Sequence, residues 1–443
     1  MVSLIAIYLV LCSIVIIWII LAQAARGTVE LASLRNIFLA GYIIFQLSSA
    51  STSLLFEEYD QLYIQYPVYS GVVFAFLSTF FLVCFFLSYK IGWVAKRLGQ
   101  KQIQNINISP LVLILLALAF CAFGVFLRLV IGQIPVVGVL TAQLAVGVFA
   151  AACGLVGWAW APRPFNVPVA ISGFAVVCLT LLILLLESFG RRELLTIFLA
   201  FGFAAYWSAW RHLGLQRLLM RVALIGFPIM LFSTAFTAAR AGNERERTIT
   251  QTLTAMSQVS IDDLKYSVMD LLSGQLAGGN SLWLIENYPE NYPYYHLHTL
   301  TYYVTQPIPR IYWEDKPNSV GRIMVEQGQF QKVGANYSLG PGIIGHIAHD
   351  NPWIAVWFYG IAIGLIFRWC DELTRTNALN PIVVVTMGAG LSQILGLARG
   401  ETGLFLFNAT TSMAGAWLAS WVSVRFFTAI GWMSRAEPAS EIS

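Results

Sequence analysis

MVSLIAIYLVLCSIVIIWIILA, residues Met1 to Ala22, contains no charged side chain. About 20 apolar residues in a helix are needed to cross the hydrocarbon of a bilayer. This run is long enough and has no basic leader, so it reads as a retained spanning helix and not as a cleaved signal peptide. The pattern recurs near residues 34–55, 68–89, 110–131, 137–160, 168–186, 194–210, 218–238, 353–369, 381–397 and 404–426. Run length therefore predicts an all-α polytopic membrane protein of about 11 (10–12) transmembrane helices. The expected organisation is an N-terminal bundle over 1–238 and a large extracytoplasmic loop or cap over 239–352, with the remaining helices in 353–443.

Composition agrees. Of 443 residues, 58% are hydrophobic and 11% charged, against about 25% charged in soluble domains. The formal charge of +4 is assigned to basic residues on the cytoplasmic face, and nucleic acid is set aside as a partner. With the N-terminus outside, fourteen Lys and Arg fall in inner segments and four (Arg128, Arg191, Arg192 and Arg399) in short outer ones. This asymmetry puts the 239–352 loop on the outer face. The six cysteines lie in or beside apolar runs without C-x-x-C spacing, which predicts neither disulfide nor metal site.

Within the outer loop, Pro307-Ile308-Pro309-Arg310-Ile311-Tyr312-Trp313-Glu314-Asp315-Lys316-Pro317 sets cations between rigid prolines. Arg310 and Lys316 suit an anionic group at the membrane surface, or they pair with Glu314 and Asp315 in an ordinary turn. Arg191-Arg192, in a short outer loop between Glu187 and Glu193, and Arg399 in Ala398-Arg399-Gly400-Glu401 are further cationic points near hydrocarbon. Glu401 is too close in sequence to face Arg399 on a helix.

His296-Leu297-His298 would share one face of an extended strand, and His346-Ile347-Ala348-His349 one face of a helix. Either pair suits proton transfer or interfacial hydrogen bonding. A metal site is not expected, because Asp350 directly follows His349 and offers poor third-ligand geometry. Glu58, Asp60 and Glu187 are further candidate bases. No G-x-x-x-x-G-K-[ST] or G-x-S-x-G motif is present. The segment 248–276 carries Leu253, Ile261, Leu264, Val268, Leu271, Leu272 and Leu276, the last five at amphipathic helical spacing.

These features resemble the O-antigen and exopolysaccharide repeat-unit polymerases, the Wzy-type enzymes of bacterial envelopes. The resemblance rests on Pro307-Ile308-Pro309-Arg310 with Trp313 and Lys316-Pro317, and on Ser188-Phe189-Gly190-Arg191. It also rests on Gly340-Pro341-Gly342-Ile343-Ile344-Gly345 and on many helices around one late outer loop. His346 stands where many relatives have an acidic residue. The resemblance implies a GT-C-like, metal-independent and cofactor-free inverting glycosyltransferase of the bacterial inner membrane, with its large loop periplasmic.

Its implied substrates are undecaprenyl-diphosphate-linked oligosaccharides as donor and acceptor, with a chain-length regulator and a flippase as further partners. Arg191, Arg192, Arg310 and Arg399, assisted by Lys316, would hold the diphosphate. His296, His298, His346 or Glu187 would serve as base, and Tyr295 and Trp313 would offer flat faces to sugar. An O-antigen ligase and a lipid-linked glycan transporter are the alternatives. A transporter would favour charges deep within helices and an internal repeat.

Overall fold

The computed structural model of the chain describes residues 1–57, 62–103, 106–134, 137–187, 191–240, 251, 254, 258–272, 274–328, 338–431 and 434–435. These residues are helical throughout, apart from irregular connections and a two-residue antiparallel pairing of Ile106–Asn107 with Ser434–Arg435. Among the described residues, eight helices are long and apolar enough to cross a membrane, consistent with a polytopic membrane protein.

The remaining three expected spans differ from the eight. The run expected at 194–210 gives the shorter apolar segment Glu193–Ser208. The run at 381–397 is broken into Pro381–Gly388 and Leu391–Gly396. The last helix, Thr402–Ala429, is 28 residues long but interrupts its apolar character with Asn408, Thr410, Thr411 and Ser412.

Two compact units are formed. The first comprises residues 1–96, 259–369 and 393–407, and the second residues 97–258, 370–392 and 408–443. The expected boundary at 239 therefore falls inside the second unit, and most of the expected outer loop packs within the first.

In the first unit, Val2–Ala25 buries a single stripe of Ile5, Ala6, Leu9, Ser13 and Ile16. Leu4, Leu11 and Trp18 stay exposed, as suits a lipid-facing helix. The next run, Leu34–Phe56, is capped by the Ser33 side chain accepting from the Asn36 backbone N–H. It carries a wider π-helical turn at Ile43–Ser48. Its Phe38 and Tyr42 pack with Phe81 and Phe85 of Pro67–Ile91, with ring centroids 5.3–6.2 Å apart. Pro67 starts that helix without losing a needed donor. The Glu286 carboxylate accepts from Gln65 and Tyr66 N–H just before it, at 2.7 and 2.8 Å.

The segment expected to form one amphipathic helix gives the helix Ile261–Leu272, followed by a kink at Gln275 and Leu276, both at positive φ. The helix Ala277–Asn287 then buries Asn280, Ser281 and Trp283. Gly278 lets it approach the 49–56 segment so closely that a Cβ there would collide with the Ala50 backbone. Small residues are the usual means of close helix packing where lipid offers no hydrophobic driving force.

In the second unit, Gly138–Trp160 is the central element, with its Gly157 against Phe201 and its Gly147 against Ser412. A cavity of about 540 Å³ lies between this helix and its neighbours, lined by apolar side chains including Val156, Trp160, Phe174, Phe201, Leu224 and Pro228.

Candidate functional site

The polar side chains gather in the first unit around the short helix Gly342–His349. Its entry is set by backbone geometry. Gly342 adopts φ +63°, and a Cβ there would run into the Ala398 carbonyl. Only glycine takes such a position without strain. Gln46, fully buried in the π-helical turn, donates its amide to the Ala398 carbonyl at 2.7 Å and the Pro341 carbonyl at 3.3 Å. The Ser281 hydroxyl also donates to the Pro341 carbonyl. The Gly-Pro-Gly turn, the π-helical turn and the segment before Arg399 are thereby tied together.

The same helix buries His346 and His349 completely, and their hydrogen bonds place a proton on Nδ1 of each ring but leave the two Nε2 atoms in different surroundings. The Thr402 backbone N–H donates to His346 Nε2 at 3.1 Å, so this nitrogen carries the lone pair. Burial pushes the His346 pKa down to about 3, with Asp350 opposing. The ring is therefore neutral, and Nδ1–H donates to Thr299 Oγ1 at 2.8 Å. Both nitrogens of His346 are occupied.

His349 differs. Burial alone would raise the pKa of Asp350, but hydrogen bonds from His349, Tyr359 and Thr299 bring it below the usual carboxylate range. Asp350 is therefore a carboxylate. One oxygen accepts His349 Nδ1–H at 2.8 Å. The other accepts the Thr299 N–H at 2.9 Å and the Tyr359 hydroxyl at 2.5 Å. The other ring nitrogen of His349, Nε2, is buried and has no hydrogen-bond partner; in the neutral ring it is the atom that carries the lone pair.

Aromatic rings enclose this imidazole. Tyr295 stacks on it with centroids 4.8 Å apart and planes within 3°. Tyr288 and His298 pack against it at 5.2 Å.

Glu401 closes the network. Its carboxylate accepts the Val320 N–H at 3.1 Å and the Gly321 N–H, and it lies 3.4 Å from His346 Nε2. Burial raises its pKa to about 7 against these bonds. A proton on Glu401 relieves the repulsion between its oxygen and the His346 lone pair.

The half-buried His298 forms the outer edge of the cluster. The Asn318 carbonyl can only accept, so His298 Nε2 carries the hydrogen in their 2.8 Å bond. Burial and the neighbouring His349 lower the pKa of His298.

Several expectations change. His296 and His298 do not share a strand face, because Leu297 takes φ +55° as the cap of the helix His298–Thr305 and leaves His296 exposed in a turn. Arg310 and Lys316 do not pair with Glu314 and Asp315 through their carboxylates. Arg310 donates to the carbonyls of Glu314, Lys316 and Pro317 and to Asn318 Oδ1, the last at 2.7 Å. Lys316 donates to the carbonyls of Gln306 and Ile308.

Trp313 is exposed on the same strip. Arg399 is half-buried, with its carbonyl close to Gly340. The side chains of Glu187, Arg191 and Arg192 lie outside those described, as do Glu58, Asp60 and residues 188–190.

Sequence reading missed Asp350 as a hydrogen-bond acceptor and Glu401 as a buried group. It also missed Gln46, Ser281 and Thr299. One signal was available: Gln46 and Glu401 are strong polar groups in or beside apolar helices, where such residues are rare and usually functional.

The class defined by these features is an all-helical, multi-spanning membrane protein with a buried histidine–carboxylate network in its first unit. Comparison of the chain with protein-family models, with curated proteins and with solved structures gives no match.

Proposed function

We propose that the chain is a membrane glycosyltransferase that polymerises lipid-diphosphate-linked oligosaccharide repeat units at the outer face of a bacterial inner membrane. One observation carries the reading. Two segments of the sequence resemblance border the histidine–carboxylate network: Arg310 of the Pro307–Pro317 strip bonds Asn318, whose carbonyl holds His298, and the Gly340–Gly345 turn lies against Arg399 and leads into His346.

Chemically, single-displacement transfer needs a stabilised leaving group and one base for the acceptor hydroxyl. Arg310 and Arg399, with Arg191 and Arg192, are the cations for the diphosphate. A guanidinium held at the site where charge develops stabilises it without reorganisation. The histidine cluster is the source of the base.

The test uses cells that make the glycan and carry Arg310→Ala or Arg399→Ala at normal protein level. Lipid-linked single repeats accumulate and long chains disappear in both. Unchanged chain-length distributions in both variants would sink the reading.

A further inference from the structure

Repeat-unit transfer requires a particular atom to take the proton of the acceptor hydroxyl. We infer that this atom is His349 Nε2, with Asp350 as its positioning carboxylate and Tyr295 as the side chain that moves aside for the acceptor sugar. The assignment rests on the reading of the chain as a repeat-unit polymerase.

The contrast with His346 carries the argument. The two rings are on one helix and equally buried, yet both nitrogens of His346 have partners while His349 Nε2 has none. An unsatisfied buried polar atom is costly, and most such atoms in folded proteins are paired. The orphan here is also the atom whose lone pair is fixed in place, because Asp350 holds the proton on Nδ1.

A carboxylate behind an imidazole both sets the tautomer and stabilises the imidazolium formed on proton uptake. His298 also has a nitrogen with a lone pair, but its other nitrogen is bound to the neutral Asn318 carbonyl and no carboxylate holds the ring. Tyr295 covers the face of His349 and is 40% exposed, whereas Tyr288 is buried. Of these two tyrosines, Tyr295 is therefore the one that an acceptor sugar arriving from outside meets first.

The step balances as follows. The acceptor O–H proton passes to Nε2, and the oxygen lone pair forms the new bond to the donor anomeric carbon. The bond from that carbon to the diphosphate oxygen breaks, and its electron pair leaves on the lipid diphosphate. The imidazolium, paired with Asp350, returns its proton to water after the product departs. The titratable groups facing His349 are Asp350, His298, Tyr288 and Tyr295, with His346 and Tyr359 one contact further away.

Asp350→Asn is the decisive variant. The Thr299 N–H and the Tyr359 hydroxyl both donate to one carboxylate oxygen, so the asparagine oxygen stays there and its NH2 faces His349 Nδ1. That arrangement drives the ring proton to Nε2 and removes the base. Nitrogen NMR of the full-length, 15N-histidine-labelled protein in nanodiscs reads the tautomer without substrate, with His349→Gln identifying the signal.

The expected result is a bare Nε2 in the wild type, a protonated Nε2 in Asp350→Asn, and polymerisation of a purified lipid-linked repeat unit lowered about 100- to 10,000-fold. His349→Gln keeps an amide in the pocket but has no base, so it loses activity. A wild-type ring protonated on Nε2, or normal turnover by His349→Gln, overturns the assignment alone. A wild type that builds no polymer from the repeat unit overturns the parent reading, whatever the spectra show.

Discussion

The strip Pro307–Pro317 and the helix Gly342–His349 hold their polar groups in opposite ways. On the strip, the exposed Arg310 and the half-buried Lys316 are committed to nearby carbonyls. On the helix, two imidazoles are sealed among Thr299, Asp350 and Glu401. The strip uses full charge to hold a loop in shape, where water screens each contact. The helix region uses few charges, but burial makes each hydrogen bond consequential. Substitutions should therefore have far larger effects in the second region than in the first.

Glu401→Ala is the harshest test of that contrast. It leaves the Val320 and Gly321 N–H groups without their acceptor inside the fold. The expected loss of stability is roughly 2–6 kcal/mol, about 1–3 kcal/mol for each of the two buried N–H groups left unsatisfied. Thermal unfolding of the detergent-purified variant measures it. A melting temperature like that of wild type would mean that water replaces the carboxylate and that the network is not closed.

The same contrast explains what was legible in the sequence. Apolar run length revealed the helical class, because a bilayer imposes a length on every span. The strip was visible because prolines and cations are conspicuous in an apolar chain. The network was not, since Asp350 and Glu401 are ordinary residues whose partners Thr299, Tyr359, Val320 and Gly321 lie up to 81 positions away. Local rules also misdirected. Adjacency to His349 made Asp350 look unsuitable as a third metal ligand, yet adjacency is what lets it accept the Nδ1 proton. At 296–298, alternation suggested a strand, but the left-handed backbone of Leu297 turns the chain into a helix.

A smaller effect, on the order of 2–3 kcal/mol at its maximum, is expected from pH. Glu401 has its folded pKa raised from 4.5 to about 7. Its stabilising contribution is complete below 4.5 and is lost as pH rises through 7. His346 is depressed from 6.5 to about 3. It favours the folded state fully above 6.5 and progressively less as pH falls towards 3. Between 4.5 and 6.5 the two slopes oppose each other and nearly cancel. Glu401→Gln removes one of them. The gap between wild type and variant should then widen by about 1.4 kcal/mol per unit as pH falls through this window. Parallel stability curves for the two proteins would show that Glu401 does not hold its proton in the fold.

The smallest effect is expected on the strip, from Arg310→Lys. The guanidinium bonds three carbonyls and Asn318 Oδ1 through two nitrogens, a spread that one ammonium cannot span. Charge is kept and the fork is lost. Because the side chain is exposed, the cost should be at most about 1 kcal/mol. It should also stay local: hydrogen exchange over 310–318 quickens by up to about tenfold, while the melting temperature of the protein stays within error. A melting shift approaching that of Glu401→Ala would erase the distinction between the two regions. The local outcome would leave any loss of the proposed polymerisation in Arg310→Lys attributable to the lost guanidinium fork and not to unfolding, since the positive charge is still present.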